Sequence, residues 1–262
     1  LRFTLPMIIG SLLQQCYNIA DTLIVGQCIG SGALAAVGSA YTLMVFLISI
    51  LLGLSMGSGT VFSLQYGAGR MKALRRSIYV SAVLIGTVTI VLDIAALSFI
   101  HPILKLLQIP DDIYQMMYDY LWIIFWGIGF TFIYNFYAAL LRAIGNAVTP
   151  LYFLAISVVL NIGLDLFFIL LLDWGIKGAA IATIIAQGVS ALGIMGYTYA
   201  KCPELRLHRN DLHFDRHCLK EITSFSTLTC IQQSVMNLGI LMVQGLVNSF
   251  GSMVMAAFAA AI

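Results

Sequence analysis

The feature that most constrains this chain is an apolar run, residues 151–172, in which Asp165 is the only charged residue. A run of this length is long enough to cross a bilayer as one helix. A carboxylate inside such a helix costs at least about 2.5 kcal/mol on insertion scales, so it needs a partner or a function. Asn161 lies one helical turn before Asp165, and the two side chains therefore point to the same side. This pair predicts a polar site inside a membrane helix.

The composition extends this conclusion to the whole chain. Hydrophobic residues make up 61% of the sequence and charged residues 9%, whereas soluble domains carry roughly 25% charged residues. We therefore predict an all-α, polytopic membrane protein. The five cysteines are scattered, odd in number and without a CxxC pair, so neither a disulfide framework nor a cysteine metal site is expected. We predict that the protein is not an enzyme, needs no cofactor and binds no nucleic acid.

Hydropathy, together with the positions of glycine, proline and charged residues, divides the chain into eight helices. Their predicted ranges are 6–27, 33–66, 75–101, 112–141, 148–172, 176–200, 219–249 and a last helix that begins near 252. The chain ends inside this last apolar segment, so we expect it to be part of a longer protein, truncated in helix 8. We predict three parts: a six-helix transmembrane lobe over 1–200, a cytoplasmic linker over 201–218, and the beginning of a second lobe over 219–262.

The lysines and arginines predict the orientation in the membrane. Only Lys105 and Lys177 fall in the segments that face one side. The other side holds Arg2, Arg70, Lys72, Arg75, Arg76, Arg142, Lys201, Arg206, Arg209, Arg216 and Lys220. Because positive residues concentrate on the cytoplasmic side, we predict a multi-pass protein of the cell inner (plasma) membrane with a cytoplasmic N-terminus.

The polar linker contains three of the four histidines, which raises the question of a metal site. His213 and His217 stand at i, i+4 with Cys218 adjacent. No second ligand pair with structural-zinc spacing accompanies them. We interpret the segment as a solvated cytoplasmic linker.

Beyond the linker the sequence begins to repeat. Residues 30–40 resemble residues 251–261, and each stretch follows the first apolar helix of its block. Six helices separate the two copies, so both begin on the same side of the membrane. This pattern predicts a parallel repeat of two six-helix lobes, twelve helices in all, as transporters use. Gly53 and Gly57 form a GxxxG motif, which we expect to be a helix-packing surface.

Polar residues in three helices fall at one predicted depth. At a rise of 1.5 Å per residue, Asp21, Asp165 and Thr183 each lie about 9–10 Å from the outer end of their helices, and Asn161 lies one turn deeper. Neither acid has a basic partner at this depth, so each is protonated, hydrated or bound to a cation. An all-oxygen cluster suits Na⁺ as well as it suits a proton, and the residues leave both open. Gln14, Tyr17 and Asn18 share a helix face with Asp21, and we predict that they line the substrate cavity together with Asn135.

Several of these stretches resemble the multidrug and toxic compound extrusion (MATE) family. Residues 17–26, Tyr-Asn-Ile-Ala-Asp-Thr-Leu-Ile-Val-Gly, after Leu5-Pro6, are similar to the family's first helix. Residues 142–150, Arg-Ala-Ile-Gly-Asn-Ala-Val-Thr-Pro, resemble its loop between helices four and five. Asn161-x-x-x-Asp165 and residues 178–183 resemble its helices five and six. The resemblance covers the whole chain and is greatest to the bacterial DinF-like branch.

This resemblance implies a two-lobe antiporter that exports small organic, often cationic, compounds against inward H⁺ or Na⁺. It implies that Asp21, Asn161, Asp165 and Thr183 form the cation-coupling group, as a possible Na⁺ site or a proton site. It also implies that Tyr17 and Asn135 lie in the cavity of the same lobe and that Pro6 and Gly10 are points where helix 1 bends. We expect contact with membrane lipid and a full-length protein that functions as a monomer.

Two other functions fit a membrane protein with buried acids. A lipid-linked oligosaccharide flippase of related architecture is expected to carry basic residues in its cavity, and no mid-helix position here is lysine or arginine. An intramembrane aspartyl protease needs Gly-x-Gly-Asp around one acid, whereas Asp165 follows Asn161-Ile162-Gly163-Leu164.

Overall fold

The computed structural model describes residues 4–208, 211, 213 and 215–261, and within these residues it is all-α. The described residues form ten α-helices: α1 Thr4–Cys28, α2 Ser31–Gly67, α3 Met71–Ser98, α4 Ile100–Leu106, α5 Asp111–Phe125, α6 Ile128–Ala143, α7 Val148–Leu166, α8 Gly175–Lys201, α9 Arg216–Asn248 and α10 Ser252–Ala261. A π-helix, Phe167–Leu171, continues α7, and a 3₁₀ turn, Pro203–Leu205, follows α8.

Five segments are long and apolar enough to cross a membrane: Ser31–Gly67, Met71–Ser98, Val148–Leu171, Gly175–Lys201 and Arg216–Asn248. The bent pair α5 and α6 makes a sixth if it counts as one span. Helix α1 has the length of a span but is not among these five, and it carries Gln14, Gln15, Asn18 and Asp21. The fold is thus the multi-pass helical bundle that the hydropathy predicted.

The prediction of one continuous helix over 112–141 is wrong. The chain bends by 48° between α5 and α6. At the bend the N–H groups of Trp126 and Gly127 donate to the carbonyls of Ile123 and Ile124, three residues back, at 3.2 and 2.8 Å. Such tighter bonds interrupt the α-helical ladder. Glycine allows the close approach of α8 here, because a Cβ on Gly127 would lie 2.9 Å from Ile184 Cγ1.

Two further predicted helices end differently in the structure. Helix 3 was predicted to reach residue 101, but α3 ends at Ser98 and the short α4 follows. Pro102 lacks the N–H that would bond to the Ser98 carbonyl and continue α3. Helix 5 was predicted to be α-helical as far as residue 172, but it changes to a π-helix at Phe167. The Leu172 N–H donates to the carbonyl of Phe167, five residues back, at 3.3 Å.

Helix α2 lies at the centre of the bundle and packs against α3, α5, α6 and α9. Its contact with α9 is the most extensive of all. Gly53 and Gly57 make this contact close, since a Cβ on either would collide with the backbone of Cys230 or Ser226. Small residues allow such backbone approach between membrane helices. The first helix of the predicted second lobe therefore packs along the first lobe.

The linker between α8 and α9 is tied to the beginning of α3. Arg75 Nε lies 3.4 Å from Asp211 Oδ2, and Arg76 Nη1 lies 3.2 Å from Asp215 Oδ2. Asp215 also caps α9 by accepting from the His217 N–H at 2.9 Å. This backbone hydrogen bond, together with Arg76, lowers the pKa of Asp215. Within the described residues no group of three histidine, cysteine or acidic side chains is arranged to hold a metal.

Candidate functional site

The carboxyl groups of Asp21 on α1 and Asp165 on α7 lie within hydrogen-bonding reach of each other. Asp165 is fully buried, and Asp21 is partly buried. One oxygen of each, Oδ1, is buried without a hydrogen-bond partner, and no ion pair of the described residues involves either acid. Two carboxylates at this separation repel each other unless a proton or a cation lies between them.

Asn161 and Thr183 extend this pair into a network. With its amide nitrogen towards Asp165, Asn161 donates to Asp165 Oδ2 at 2.9 Å, and its oxygen accepts from the Thr183 backbone N–H at 3.3 Å. With the amide reversed, Asn161 Nδ2 donates to Thr183 Oγ1 at 3.3 Å. The hydrogen-bond partners decide between the two orientations. With Asp165 ionised, only the first orientation avoids placing two acceptors against each other.

Tyr17 connects the network back to α1. Its hydroxyl lies 3.5 Å from Thr183 Oγ1, and it stands one helical turn before Asp21. The two α1 residues therefore point the same way, just as Asn161 and Asp165 do on α7. Since α1 packs against α7 and α7 packs against α8, three helices contribute side chains to one cluster. We call Tyr17, Asp21, Asn161, Asp165 and Thr183 the carboxyl cluster.

Tyr120 belongs near this cluster and was not predicted from the sequence. It lies on α5, is 7% exposed, and interacts electrostatically with Asp21, Tyr17 and Asp165. A tyrosine in an apolar helix is a common packing residue, and its sequence neighbourhood carries no sign of the distant acids. The sequence indicated only that Tyr120 lies in the outer half of the predicted fourth helix, on the same side of the membrane as Asp21 and Asp165.

Three predicted cavity residues make no hydrogen bond to the carboxyl cluster within the described residues. Gln14 is exposed on α1. Asn18 donates to Gln15 Oε1 at 3.3 Å and to the Tyr41 hydroxyl at 3.1 Å. Asn135 donates to the Thr131 carbonyl of its own helix at 2.8 Å, so its amide satisfies its helix backbone.

The predicted bending points of helix 1 lie within a continuous helix. Pro6 falls in the first turn of α1, where a proline is tolerated because the N–H it lacks has no partner there. A Cβ on Gly10 would make only an ordinary contact with Leu151, at 3.7 Å. Bending at Pro6 or Gly10 stays a prediction.

The comparisons with known proteins agree with this architecture. The MatE family model matches residues 6–167. The chain belongs to the MatE family. The members that it resembles are transporters and not enzymes.

Among curated proteins, the chain is 32% identical over 259 residues to the probable multidrug resistance protein YpnP of Bacillus subtilis (strain 168), covering 98% of this chain and 58% of that protein. It is 28% identical over 248 residues to the probable multidrug resistance protein NorM of Thermotoga maritima, covering 92% of this chain and 53% of that protein. The chain thus spans less than two thirds of the length of these relatives.

Among solved structures, a ligand complex of the MATE multidrug transporter DinF-BH has a TM-score of 0.90 and 27% identity, over 98% of this chain and 58% of that one. This likeness supports the DinF-like branch. An inward-facing MATE family transporter of the MOP superfamily has a TM-score of 0.88 and 23% identity, over 99% of this chain and 60% of that one. At that identity the likeness shows the shared fold.

Proposed function

We propose that this chain is the greater part of a cation-coupled antiporter that exports small organic, often cationic, compounds across the cell inner membrane. The observation that carries the proposal is the meeting of Asp21 and Asp165 in a helical bundle, with no basic partner among the described residues. An acid pair of this kind is expensive in a membrane protein and marks an ion or proton pathway. The names of the multidrug relatives support the substrate class.

The carboxyl cluster offers two ways to hold the coupling cation. A proton would bridge the two carboxyl groups as a hydrogen bond. Alternatively, the oxygens of Asp21, Asp165, Asn161 and Thr183 would coordinate Na⁺, since hard cations take oxygen ligands. Cation coupling then requires only that the cation and the exported compound prefer different access states of the transporter.

Protonation of Asp165 would reverse the direction of its hydrogen bond to Asn161. An ionised Asp165 accepts from the amide nitrogen, whereas a protonated Asp165 donates to the amide oxygen. The amide nitrogen then turns to Thr183 Oγ1, and the Thr183 hydroxyl is left to donate towards Tyr17 at 3.5 Å. A change in the charge of Asp165 on α7 would thus change the hydrogen bonds of Thr183 on α8 and Tyr17 on α1, without any backbone movement.

The decisive variant is Asp165→Asn in the full-length protein, reconstituted in proteoliposomes and driven separately by a pH gradient and by a Na⁺ gradient. We expect gradient-driven export to be lost because an amide neither releases a proton nor offers an anionic ligand. The gradient that drives the unaltered protein identifies the coupling cation.

The control is Asp93→Asn, which removes another half-buried acid that lies on α3, outside the cluster. We expect this variant to retain coupled export. Undiminished coupled export by Asp165→Asn, with a normal helical content, would contradict the proposed site.

The lysines and arginines of the described spans disfavour the flippase alternative. They lie within the first two turns or the last turn of their helices, as Arg142 does in α6 and Lys177 in α8. Basic residues inside the cavity are what an anionic lipid-linked sugar would require. Transport of an organic cation but not of a lipid-linked oligosaccharide by the proteoliposomes would separate the two functions.

A further inference from the structure

A groove with a volume of about 380 Å³ runs between α5 and α8, on the side of the membrane predicted to be outside. Its walls are Ile123, Trp174, Lys177 and Ile181. Helix α8 packs against α5, α6 and α7, whereas α9 and α10 pack against α2. Within the described residues, α9 and α10 therefore do not cover the face of α8 that carries the groove.

The outer end of the groove carries one positive and one negative charge side by side. Lys177 Nζ lies 3.2 Å from Asp119 Oδ2, and the two side chains are 57% and 25% exposed. Asp119 Oδ1 accepts from Gln115 Nε2 at 3.0 Å, which fixes the carboxylate on α5. Lys177 lies in the first turn of α8, at the level where lipid headgroups meet the helix ends.

Past the ion pair the groove is lined by Ile123 and Ile181, while Trp174 forms its side at the outer end of α8. Trp174 stacks on Phe168, with ring centroids 5.1 Å apart and planes at 2°. Its indole N–H donates no hydrogen bond within the described residues. Tryptophan is enriched at membrane interfaces, where its ring contacts acyl chains and its N–H reaches headgroups. Ile123 and Ile181 lie further along the two helices and offer a surface for an acyl chain.

We propose that this groove binds phosphatidylethanolamine of the outer leaflet. The lipid phosphate contacts the ammonium of Lys177 and the indole N–H of Trp174, the primary ammonium of the lipid donates to Asp119, and one acyl chain lies along Ile123 and Ile181. The site is separate from the carboxyl cluster and does not rest on the proposed transport function.

The charges of the groove select this headgroup over its common alternatives. A headgroup that carries a phosphate but no ammonium leaves Asp119 uncompensated when the phosphate takes Lys177 as its partner. A choline headgroup has the same charges but no N–H, so it cannot donate a hydrogen bond to the carboxylate. Phosphatidylethanolamine places a donor against Asp119 and an acceptor against Lys177 at once.

The test measures lipid binding to the full-length protein by native mass spectrometry after delipidation. Phosphatidylethanolamine, phosphatidylcholine and phosphatidylglycerol with identical acyl chains are added in equal amounts. We expect phosphatidylethanolamine to be retained about threefold to tenfold better than the other two, the scale of the net contribution of one hydrogen bond. Lys177→Ala and Asp119→Asn should each abolish this preference.

Two further variants separate the headgroup site from the groove itself. Ile181→Trp fills the apolar part and should lower the binding of all three lipids alike. Lys105→Ala removes the other outer lysine, which lies exposed on α4, and should leave the preference intact. Equal retention of the three lipids by the unaltered protein, or better retention of phosphatidylglycerol, would overturn the proposal. A preference that persists in both Lys177→Ala and Asp119→Asn would also overturn it.

Discussion

At the scale of single residues, the Thr183 hydroxyl is the junction of the carboxyl cluster. It lies 3.3 Å from the Asn161 amide and 3.5 Å from the Tyr17 hydroxyl, and the Thr183 side chain is 8% exposed. A hydroxyl can donate and accept at the same time. Thr183 can therefore follow Asn161 in either amide orientation, which neither a carbonyl nor an ammonium group could do.

Replacing this hydroxyl tests the junction. Thr183→Val keeps the shape of the side chain but leaves Asn161 and Tyr17 with one partner fewer, at a cost of about 1–3 kcal/mol for buried polar groups. We expect the coupling cation to bind several-fold more weakly, measured as the cation concentration that gives half-maximal export. Thr183→Ser retains the hydroxyl and should stay close to the unaltered protein. Equal effects of the two substitutions would show that the hydroxyl is not needed.

At the scale of elements, glycines decide how closely α2 approaches its neighbours. Gly57 faces the backbone of Ser226 on α9, where a Cβ would lie 2.6 Å from the Ser226 nitrogen. Gly59 lies two residues further on the same helix and faces α6, where a Cβ would lie 3.4 Å from the Ala139 Cβ, an ordinary contact. One glycine is therefore required by packing, and the other is not.

This difference gives a matched pair of variants. Gly57→Ala should separate α2 from α9 and destabilise the protein by about 1–3 kcal/mol, the usual cost of overpacking. Gly59→Ala should be neutral or stabilising, because alanine is the better helix former. Thermal unfolding of the two purified full-length variants measures the contrast. If both substitutions lowered the melting temperature equally, the close contact between α2 and α9 would not be the reason that glycine is needed at position 57.

At the scale of the whole molecule, a buried polar cluster joins the first lobe to α9 near the predicted outer ends of α2 and α9. Gln244 Nε2 donates to Ser39 Oγ at 2.9 Å and to Asn248 Oδ1 at 2.8 Å. Thr42 Oγ1 donates to Gln244 Oε1 at 3.3 Å, and Asn248 Nδ2 donates to the Leu107 carbonyl at 2.9 Å. All four side chains are buried, so each depends on the others for its hydrogen bonds.

Removing the central amide tests this connection. Gln244→Leu leaves Ser39, Thr42 and Asn248 short of partners, and we expect the free energy of unfolding to fall by about 1–3 kcal/mol. Gln232→Leu is the control, since Gln232 lies exposed on the same helix and its side chain makes no hydrogen bond within the described residues. Chemical denaturation of the full-length protein in detergent measures both. A control variant that loses as much stability would contradict the role of the cluster.

The orientation in the membrane is also a property of the whole molecule. We expect Lys72→Cys to be cytoplasmic and Lys105→Cys to be external, in a background without the five native cysteines. Both positions are exposed in the structure. A membrane-impermeant maleimide added to intact cells should label the cysteine at 105 and should reach the cysteine at 72 only after lysis. The opposite pattern would reverse the predicted topology.

The sequence by itself determined the helices and the faces that carry the acids. Long apolar runs must form helices in a membrane, because every backbone N–H and C=O needs an internal partner there. The spacings 17/21 and 161/165 are one helical turn, so each pair had to share a face. These local rules also predicted that Asp21, Asp165 and Thr183 lie at one depth.

Only the tertiary structure decided which helices cover those faces. Helical periodicity shows where a side chain points and not what it meets, so it could not separate Tyr17, which reaches Thr183, from Gln14, which is exposed. Gly127 lies against Ile184, more than fifty residues away, and no local pattern around residue 127 records that contact. Tyr120 and Lys177 acquire their partners in the same way, from helices that adjoin them only once the bundle has packed.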